Sequence, residues 1–426
     1  MLRLAWNKPG LLYKALAMPD YRISHPSKKL RGRLLLPGSK SESNRLLILK
    51  ALYAPNIELA GLSESSDTQV LLKALENFEY NSQLNIKDAG TAMRFLTAFL
   101  AIQDGEWTLS GTARMHQRPI GTLVEALNAL GAKIEYLEEE GYPPLKIKGA
   151  ELKGSEIWVD ASQSSQFISA LMLIAPSLPQ GLSIKFKGAS VSAPYIYLTA
   201  NIMRSLGFQV YVLGDEVRLD PQSLDNPPTK HTIEPDWSAV SYWFSALSLA
   251  QEGELYFPGF REISFQGDSI LHQFYAPLGV EQFFIGSGMR IRKSALIPAP
   301  PRINLLANPD LAQSLVPAYA AKEIGIEFQG LQTLRIKETD RIQALIKELT
   351  KLGVSINLEG DNLLLGSGFK AKEVQIESYK DHRMAMGFLA LALLHPIIIK
   401  DVDVVQKSYP QFWEHCRLLG FEIEEI

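Results

Sequence analysis

Residues 90–131 read GTAMRFLTAFLAIQDGEWTLSGTARMHQRPIGTLVEALNALG and contain one complete structural unit. The pattern predicts an apolar helix, a short alternating strand at 106–111, a polar loop, and an amphipathic helix that ends at Gly131. Glycine is the residue that most readily adopts the left-handed conformation at the end of a helix. The unit therefore indicates helices packed on a sheet.

The same pattern occurs six times along the chain. The apolar first helices are predicted around 44–49, 91–96, 165–170, 238–243, 311–316 and 382–387. The amphipathic second helices are predicted at 69–78, 122–130, 197–206, 269–278, 340–352 and 411–419. Five second helices end at a glycine, at spacings of 76, 72, 74 and 67 residues: Gly131, Gly207, Gly279, Gly353 and Gly420. This period is longer than that of a solenoid, and the strand-like runs between the helices favour a mixed α/β fold.

The composition is typical of a globular protein with more than one domain. A chain of 426 residues exceeds the usual size of a single hydrophobic core, so two or three domains are expected. The contents of 46% hydrophobic and 21% charged residues show no bias towards disorder. The formal net charge of −3 argues against a general nucleic-acid-binding protein, which would carry a basic excess.

The cysteine content and the length of the apolar segments exclude further classes of protein. Cys416 is the only cysteine, which excludes an internal disulfide and a cysteine-based zinc site. The apolar helices are too short to span a bilayer, and residues 1–20 lack the continuous apolar core of a signal peptide. We therefore expect a cytoplasmic protein with no membrane partner.

Polar and basic residues gather at the starts of the predicted helices. Lys40, Ser41 and Arg45 begin the first helix, where free backbone N–H groups and the helix dipole favour a bound phosphate or carboxylate. A serine cap with solvated charges explains these residues equally well. Gly90 and Arg94 repeat the arrangement at the next apolar helix, where glycine allows a ligand to approach the backbone.

Uncharged polar groups begin the third unit. Ser164, Ser165 and Gln166 supply hydroxyl and amide groups that suit a polyhydroxylated ligand, although a serine-rich cap is an equal interpretation. Ser192 lies in the following loop.

Two arginines flank the loop 115–117 of the second unit. Arg114 precedes this loop and Arg118 follows it, directly before a proline. An arginine directly before a proline at the end of a loop is often only a solvated loop residue.

Carboxylates and cations also accompany the later helices. Lys337 and Arg341 bracket Glu338, which could hold this carboxylate beside an anionic substrate, although a solvated charge run is the usual interpretation. Asp236 and Asp310 both precede helices, and both are interpreted equally well as N-caps. If equivalent loops converge, eight cations would meet and favour a small, multiply anionic substrate: Lys40, Arg45, Arg94, Arg118, Lys337, Arg341, Arg383 and Lys407.

Six motifs together resemble the 5-enolpyruvylshikimate-3-phosphate synthases of the enolpyruvyl transferase family. The resemblance runs in the family's order from about Leu36 to Lys407, and several of its strings are highly specific. The motifs are PGSKS…NR at 37–45, AGTAMR at 89–94, RPIG at 118–121, SSQF at 164–167, KETDR at 337–341 and DHRMAM at 381–386.

The resemblance implies a fold and a domain organisation. The expected architecture is a two-domain inside-out α/β barrel built from six βαβαββ repeats, three in each domain. Residues 1–37 and 236–426 would form one discontinuous domain, and residues 38–235 the other. The chain would cross between domains near Pro37 and Asp236, and the active site would lie in the interdomain cleft.

The resemblance also implies an activity. The enzyme would transfer the enolpyruvyl group of phosphoenolpyruvate to the 5-hydroxyl of shikimate 3-phosphate, as a monomer without metal or organic cofactor. The implied contacts to shikimate 3-phosphate are Lys40, Ser41, Arg45, Ser164, Ser165, Gln166, Ser192, Asp310 and Lys337. The implied contacts to phosphoenolpyruvate are Lys40, Gly90, Arg118, Gln166, Arg341, Arg383 and Lys407.

Catalytic roles are implied for Asp310, Glu338 and Lys40. Carbon C3 of the enol ether must gain a proton as the hydroxyl attacks C2, and Glu338 is the candidate acid. Asp310 would accept the hydroxyl proton. Three positions depart from the common family pattern: Asp88 stands where asparagine is usual, Phe95 where proline is frequent, and Thr333 where some members have asparagine.

Two other functions compete with this one. A sister enzyme transfers enolpyruvyl to a UDP-amino sugar, but it commonly carries a cysteine or an aspartate in the loop before its Arg-Pro pair. Residues 113–119 contain neither. A non-enzymatic repeat scaffold that binds anionic metabolites is the alternative from a different class, and it would not need Glu338.

Overall fold

The computed structural model describes residues 19–154, 156–162, 164–188 and 193–426, so the predicted site residue Ser192 lies outside the described part. Within these ranges the chain forms twelve α-helices, α1 to α12 in chain order. They are Lys40–Tyr53, Ser66–Asn77, Gly90–Ala101, Gly121–Ala129, Ser165–Ile174, Ala193–Leu206, Trp237–Leu249, Leu271–Tyr275, Ala312–Ala321, Arg341–Lys351, His382–Gly387 and Phe412–Leu418. No helix among the described residues is both long and apolar enough to cross a membrane.

The same ranges contain strands β1 to β22 in chain order. They are Tyr21–Ser24, Lys29–Arg33, Glu58–Ala60, Gln83–Asn85, Glu106–Ser110, Lys133–Tyr136, Leu145–Lys148, Glu156–Asp160, Leu182–Lys187, Val210–Leu213, Glu216–Leu219, Lys230–Thr232, Glu252–Pro258, Val280–Ile285, Gly288–Lys293, Arg302–Asn304, Ile326–Gln329, Ile356–Glu359, Asn362–Leu365, Val374–Ile376, Ile397–Ile399 and Glu422–Glu425.

Five four-stranded sheets share one pairing pattern. In the sheet β4-β5-β7-β6, the first two strands are parallel and the other pairs are antiparallel. The sheets β8-β9-β11-β10, β2-β13-β15-β14, β16-β17-β19-β18 and β20-β21-β1-β22 repeat this order. Two of these sheets join distant parts of the chain, because β2 pairs with β13 and β1 lies between β21 and β22. The remaining sheet consists of the parallel strands β12 and β3.

Helix ends follow the chemistry of their terminal residues. Ser39 caps α1, and its hydroxyl accepts the backbone N–H of Glu42 at 3.4 Å. The five glycines predicted to end second helices all have positive φ, between 75° and 107°, so this prediction is confirmed.

One predicted helix differs from the structure. The segment 269–278 was predicted as one helix, but it divides into the 3-10 turn Gly267–Ile270, the five-residue helix α8 and the 3-10 turn Ala276–Leu278. Pro277 contributes to this, since its ring nitrogen has no N–H to continue an α-helical ladder.

The buried apolar side chains form two separate clusters. One contains residues from 23–36 and 237–421, and the other contains residues from 46–233. Between the clusters the chain passes twice through one point, where Gly38 and Pro235 form an antiparallel bridge. The crossing is tight, because a Cβ atom on Gly38 would lie only 1.8 Å from the carbonyl oxygen of Gly61.

Candidate active site

A cavity is lined by helix starts and loops from both halves of the chain. Thirteen of the fifteen predicted site residues line it: Lys40, Ser41, Arg45, Gly90, Arg118, Ser164, Ser165, Gln166, Asp310, Lys337, Glu338, Arg341 and Arg383. Lys407 adjoins this set, since its Nζ lies 3.4 Å from Oε1 of Glu338. The expected convergence of these residues is therefore observed for every one that the structure describes.

The lining is positively charged although the whole chain is slightly negative. Seven lysines and arginines face four carboxylates, Asp67, Asp236, Asp310 and Glu338, so cations exceed anions by three. His382 adds no charge, because burial, followed by the nearby Lys40, holds its pKa well below the usual value. Such a lining concentrates positive potential on small anionic ligands.

Asp310 lies at the centre of the cations. Its carboxylate accepts hydrogen bonds from Arg341 Nη1 and Arg383 Nη2, each at 3.0 Å, and from the Tyr195 hydroxyl at 3.2 Å. Burial would raise the pKa of this carboxyl, but Arg383, Lys337 and Arg341 outweigh burial and hold the pKa well below its usual range. Asp310 is therefore a fully ionised acceptor.

Asp236 and Asp310, both predicted as possible N-caps, differ in the structure. Asp236 caps α7 through the backbone N–H of Ala239 at 2.9 Å, and it also accepts the backbone N–H of Lys40 at 3.1 Å. Asp310 instead lies inside the 3-10 turn Pro309–Leu311 and caps nothing. The cap interpretation is thus confirmed for Asp236 and wrong for Asp310, whose side chain points to the arginines.

Glu338 lies between two cations. Its Oε2 accepts Arg341 Nη2 at 2.9 Å, and its Oε1 lies 3.4 Å from Lys407 Nζ. Burial would raise the pKa of this carboxyl, but Lys407, Arg341 and Arg118 outweigh burial and hold the pKa well below its usual range. The charge run 335–341 is therefore not simply a solvated surface: Lys337, Glu338 and Arg341 line the cavity.

Asp381 is a further functional residue, which the sequence hypothesis did not select. It is buried, and its carboxylate holds the guanidinium of Arg341 at 2.7 Å and 3.2 Å while capping α11 through the backbone N–H of Arg383 at 2.9 Å. One carboxylate thus orients two of the predicted arginines. The sequence signal was an aspartate directly before a helix that begins His-Arg.

The cations of the first unit have different partners. Lys40 Nζ is paired with Asp67 at 3.1 Å, a contact that the sequence did not indicate. Arg45 is buried among neutral groups, and its guanidinium donates to Thr199 Oγ1 at 2.7 Å and to the Ser41 carbonyl at 2.8 Å. Burial lowers the pKa of Arg45 to about 10, so the guanidinium remains charged at neutral pH.

Gly90 and Arg118 approach each other closely. A Cβ atom on Gly90 would lie 2.5 Å from Nη1 of Arg118, so a larger residue at this helix start would displace the guanidinium from its present position. Across the cavity, the Ser164 hydroxyl accepts the backbone N–H of Gln166 at 3.2 Å, which confirms that Ser164 is a cap.

Three lining residues carry buried polar atoms that have no hydrogen-bond partner in the described part of the chain. These atoms are Nε of Arg94, the Thr333 hydroxyl and both ring nitrogens of His382. Buried polar groups normally have partners, so these atoms are available to a ligand. Thr333 and His382 were not among the predicted site residues, and Arg94 was predicted only as one of the converging cations.

A family model described as EPSP synthase (3-phosphoshikimate 1-carboxyvinyltransferase) matches residues 24–85 and 76–416. The chain belongs to the EPSP synthase family. This agrees with the resemblance stated from the motifs, which covers the same part of the sequence.

Curated relatives support the same family. A 3-phosphoshikimate 1-carboxyvinyltransferase of Bacteroides fragilis (strain ATCC 25285) is 42% identical over 409 residues, which cover 95% of this chain and 98% of that protein. Another, of Aliivibrio fischeri (strain ES114), is 34% identical over 421 residues, with coverage of 93% and 98%. The alternative assignment to a UDP-sugar enolpyruvyl transferase is not favoured by these names.

A solved structure shares the fold. EPSP synthase from Acinetobacter baumannii superposes with a TM-score of 0.76 and covers 95% of this chain and 100% of that chain. The two sequences are 22% identical, so the likeness concerns the mixed α/β architecture.

Proposed function

We propose that this chain transfers the enolpyruvyl group of phosphoenolpyruvate to the 5-hydroxyl of shikimate 3-phosphate and releases phosphate. The observation that carries the proposal is the convergence of cations from both halves of the chain around two largely buried carboxylates, Asp310 and Glu338. Both substrates are multiply anionic, which matches the positive lining. Family membership and the names of the relatives support the same reaction.

We also propose that the molecule has two domains, residues 1–37 with 236–426 and residues 38–235. Each would contain three βαβαββ repeats arranged as an inside-out α/β barrel. The shared strand pairing of five sheets and the two separate apolar clusters support this organisation. The cavity would then be the interdomain cleft.

The two substrates are assigned to different walls of the cavity. Shikimate 3-phosphate would lie against Ser41, Arg45, Ser164, Ser165, Gln166 and Lys337, where hydroxyl and amide groups meet cations. Phosphoenolpyruvate would lie against Gly90, Arg118, Arg341, Arg383 and Lys407, where guanidinium groups can bind carboxylate and phosphate oxygens in pairs. Lys40 and Gln166 would contact both substrates, and Ser192 stays a predicted contact outside the described residues.

The carboxylates supply the proton transfers. Once the substrates are bound, Glu338 takes up a proton from solvent. As the 5-hydroxyl oxygen then bonds to C2 of phosphoenolpyruvate, Asp310 accepts the hydroxyl proton and Glu338 delivers its own proton to C3. When the C2–O bond to phosphate then breaks, Glu338 takes the proton back from C3 and Asp310 returns its proton to the leaving phosphate. Both carboxyls end in their starting states.

The low pKa values of both carboxyls make this chemistry depend on the substrates. Cations hold Asp310 and Glu338 ionised, which weakens one as a base and the other as an acid. Anionic substrates placed between those cations offset their charge and raise both pKa values. The same arginines and lysines orient the reacting atoms.

One assay tests the proposed reaction. Purified protein is mixed with phosphoenolpyruvate and shikimate 3-phosphate, and phosphate release is followed over time. Parallel reactions replace the acceptor by UDP-N-acetylglucosamine or leave it out. We expect release only with shikimate 3-phosphate, whereas release with neither acceptor would favour the non-enzymatic scaffold.

A further inference from the structure

One arginine joins the two halves of the molecule without lining the cavity. Arg114 is half-buried at the start of the 3-10 turn Met115–Gln117, whose other end carries the cavity residue Arg118. The guanidinium of Arg114 donates to two successive backbone carbonyls of the opposite half, from Nη2 to Lys337 at 2.7 Å and from Nε to Glu338 at 3.1 Å.

We propose that Arg114 is a positioning residue that fixes the Lys337–Glu338 backbone across the cleft, an inference that rests on the proposed function. It touches neither the cavity nor the carboxylate of Glu338. Its action on the reaction is therefore indirect: by holding the peptide on both sides of the Glu338 Cα atom, it sets the place from which that carboxylate reaches the substrate.

The held segment has little regular structure of its own. Lys337 and Glu338 lie between the 3-10 turn Gln332–Ile336 and the start of α10 at Arg341, outside any helix or strand. A backbone without regular hydrogen bonds samples several conformations unless other groups restrain it. The rigid fork of a guanidinium is suited to restrain two adjacent carbonyls at once.

Arg114 is itself firmly anchored. Its remaining Nη1 donates to the side-chain oxygen of Gln117 at 3.1 Å, which fixes the plane of the guanidinium. The turn is held by the buried side chain of Met115 and by the hydrogen bond from the backbone N–H of His116 to the Thr112 carbonyl at 3.1 Å. The guanidinium of Arg114 is therefore held in place from its own side of the cleft.

A second contact crosses the cleft in the opposite direction. Lys407 Nζ donates to the backbone carbonyl of Asp88 at 2.9 Å, while the same ammonium lies beside Glu338. The loops around 88 and 114 are thus tied to those around 338 and 407 by two long-range contacts. Because these bonds need both halves in place, closure of the cleft and the position of Glu338 are coupled.

The test compares Arg114→Ala with a matched control, Arg204→Ala. Arg204 also donates two guanidinium hydrogen bonds to a backbone carbonyl, that of Val210, but donor and acceptor lie in one half and neither lines the cavity. We expect Arg114→Ala to lower kcat about 100-fold while KM for both substrates changes less than about threefold, and Arg204→Ala to keep the wild-type kcat. Added guanidinium ion should restore part of the activity of Arg114→Ala only.

Two results would overturn the proposal: a kcat of Arg114→Ala within about threefold of wild type, or a loss that appears in KM alone. If Arg114→Ala does not fold, Arg114→Lys tests the proposal instead. A single ammonium group cannot replace the guanidinium that donates to two carbonyls at once. A kcat reduced at least about fivefold then supports the role, and an unchanged kcat contradicts it.

Amide hydrogen exchange tests the positioning role of Arg114 independently of the proposed reaction. Amide exchange over residues 337–341 is compared between wild type, Arg114→Ala and Arg204→Ala, and it needs no turnover. Faster exchange in Arg114→Ala alone supports the positioning role even if the wild type releases no phosphate. Equal exchange rates in all three proteins contradict it.

Discussion

Asp310 and Glu338 are largely buried carboxylates whose charges are compensated by cations from separate loops. Arg341 contacts both, Arg383 contacts only Asp310, and Lys407 contacts only Glu338. Such a network makes each carboxylate ionised and immobile before substrates bind. The two residues thus differ in their cation partners although their pKa values are shifted in the same direction.

Replacing Glu338 tests its role in proton transfer. Glu338→Gln keeps the size and the hydrogen-bonding oxygen but cannot exchange a proton, so we expect kcat for phosphate release to fall about 10²–10⁴-fold. Glu359→Gln, at an exposed position, is the matched control and should keep the wild-type rate. Turnover of Glu338→Gln close to wild type would remove this residue from the chemistry.

The raised pKa of Asp268 predicts that the stability of the protein depends on pH. Burial, followed by the charge of Asp310, raises its pKa to about 6, and it accepts hydrogen bonds from Ser238 and Asn308. A raised pKa means that the folded state binds the proton more tightly than the unfolded state. This contribution to stability is therefore complete below about pH 4 and is lost as the pH rises through about 6.

Asp268→Asn keeps the side chain neutral at every pH. We expect its unfolding free energy, relative to wild type, to increase between pH 4 and pH 8 by on the order of 2–3 kcal/mol. Urea unfolding at both pH values measures this change, with Asp361→Asn at an exposed site as the control. A difference between variant and wild type that does not vary with pH would contradict the assigned cause.

At the scale of elements, α10 connects the charge-rich loop to the core. Asp340 begins this helix, and its Oδ1 accepts the backbone N–H groups of Ile342 and Gln343, both at 3.1 Å. The apolar side of the helix buries residues such as Ile342, Leu345 and Leu349. The helix thereby holds Arg341 in place at its first turn.

Removal of this cap should destabilise the helix measurably. We expect Asp340→Ala to lower the unfolding free energy by about 1 kcal/mol, because two backbone donors lose their acceptor. The ion pair of Asp340 with Arg335 is partly exposed and adds little. Denaturant unfolding measures the loss, and Asp361→Ala, which breaks another partly exposed pair of Arg335, should leave stability within about 0.5 kcal/mol of wild type.

Elements were predictable where local patterns decide them. Terminal glycines and alternating apolar runs located the second helices and the strands, because both signals act within a few residues. The prediction of one helix over 269–278 was wrong. The apolar spacing alone favours a helix there, but Pro277 interrupts it. Asp236 and Asp310 could not be separated locally, because the arginines that face Asp310 lie 31 and 73 residues away.

The same reasoning limits prediction of the site. Thirteen site residues were selected through the family resemblance and converge in the structure, but Asp381, Asp67 and Arg114 were not selected. The contacts of Arg114 span 223 and 224 residues, so no local pattern indicates them. Only the folded structure shows that Arg114 faces backbone atoms rather than solvent.

At the scale of the whole molecule, the crossing at Gly38 connects two separate cores. We expect Gly38→Ala to lower the unfolding free energy by about 2 kcal/mol and to reduce kcat, because its Cβ atom would collide with the Gly61 carbonyl and displace the crossing strands. Thermal unfolding and phosphate release measure both effects. Gly325→Ala is the control, since its Cβ atom would meet the nearest atom at an ordinary 3.5 Å.

The strand Tyr21–Ser24 has a consequence for synthesis of the protein. Tyr21 pairs with Ile399 and Glu425, so its first partner leaves the ribosome 378 residues later. At about 5–20 residues per second, the nascent strand waits roughly 20–75 s with both edges unpaired. The cluster at 46–233 is contiguous and can condense during that delay, whereas the other core is completed only when the last strands are translated. Translation speed and chaperones that shield strand edges should therefore govern the yield of native protein.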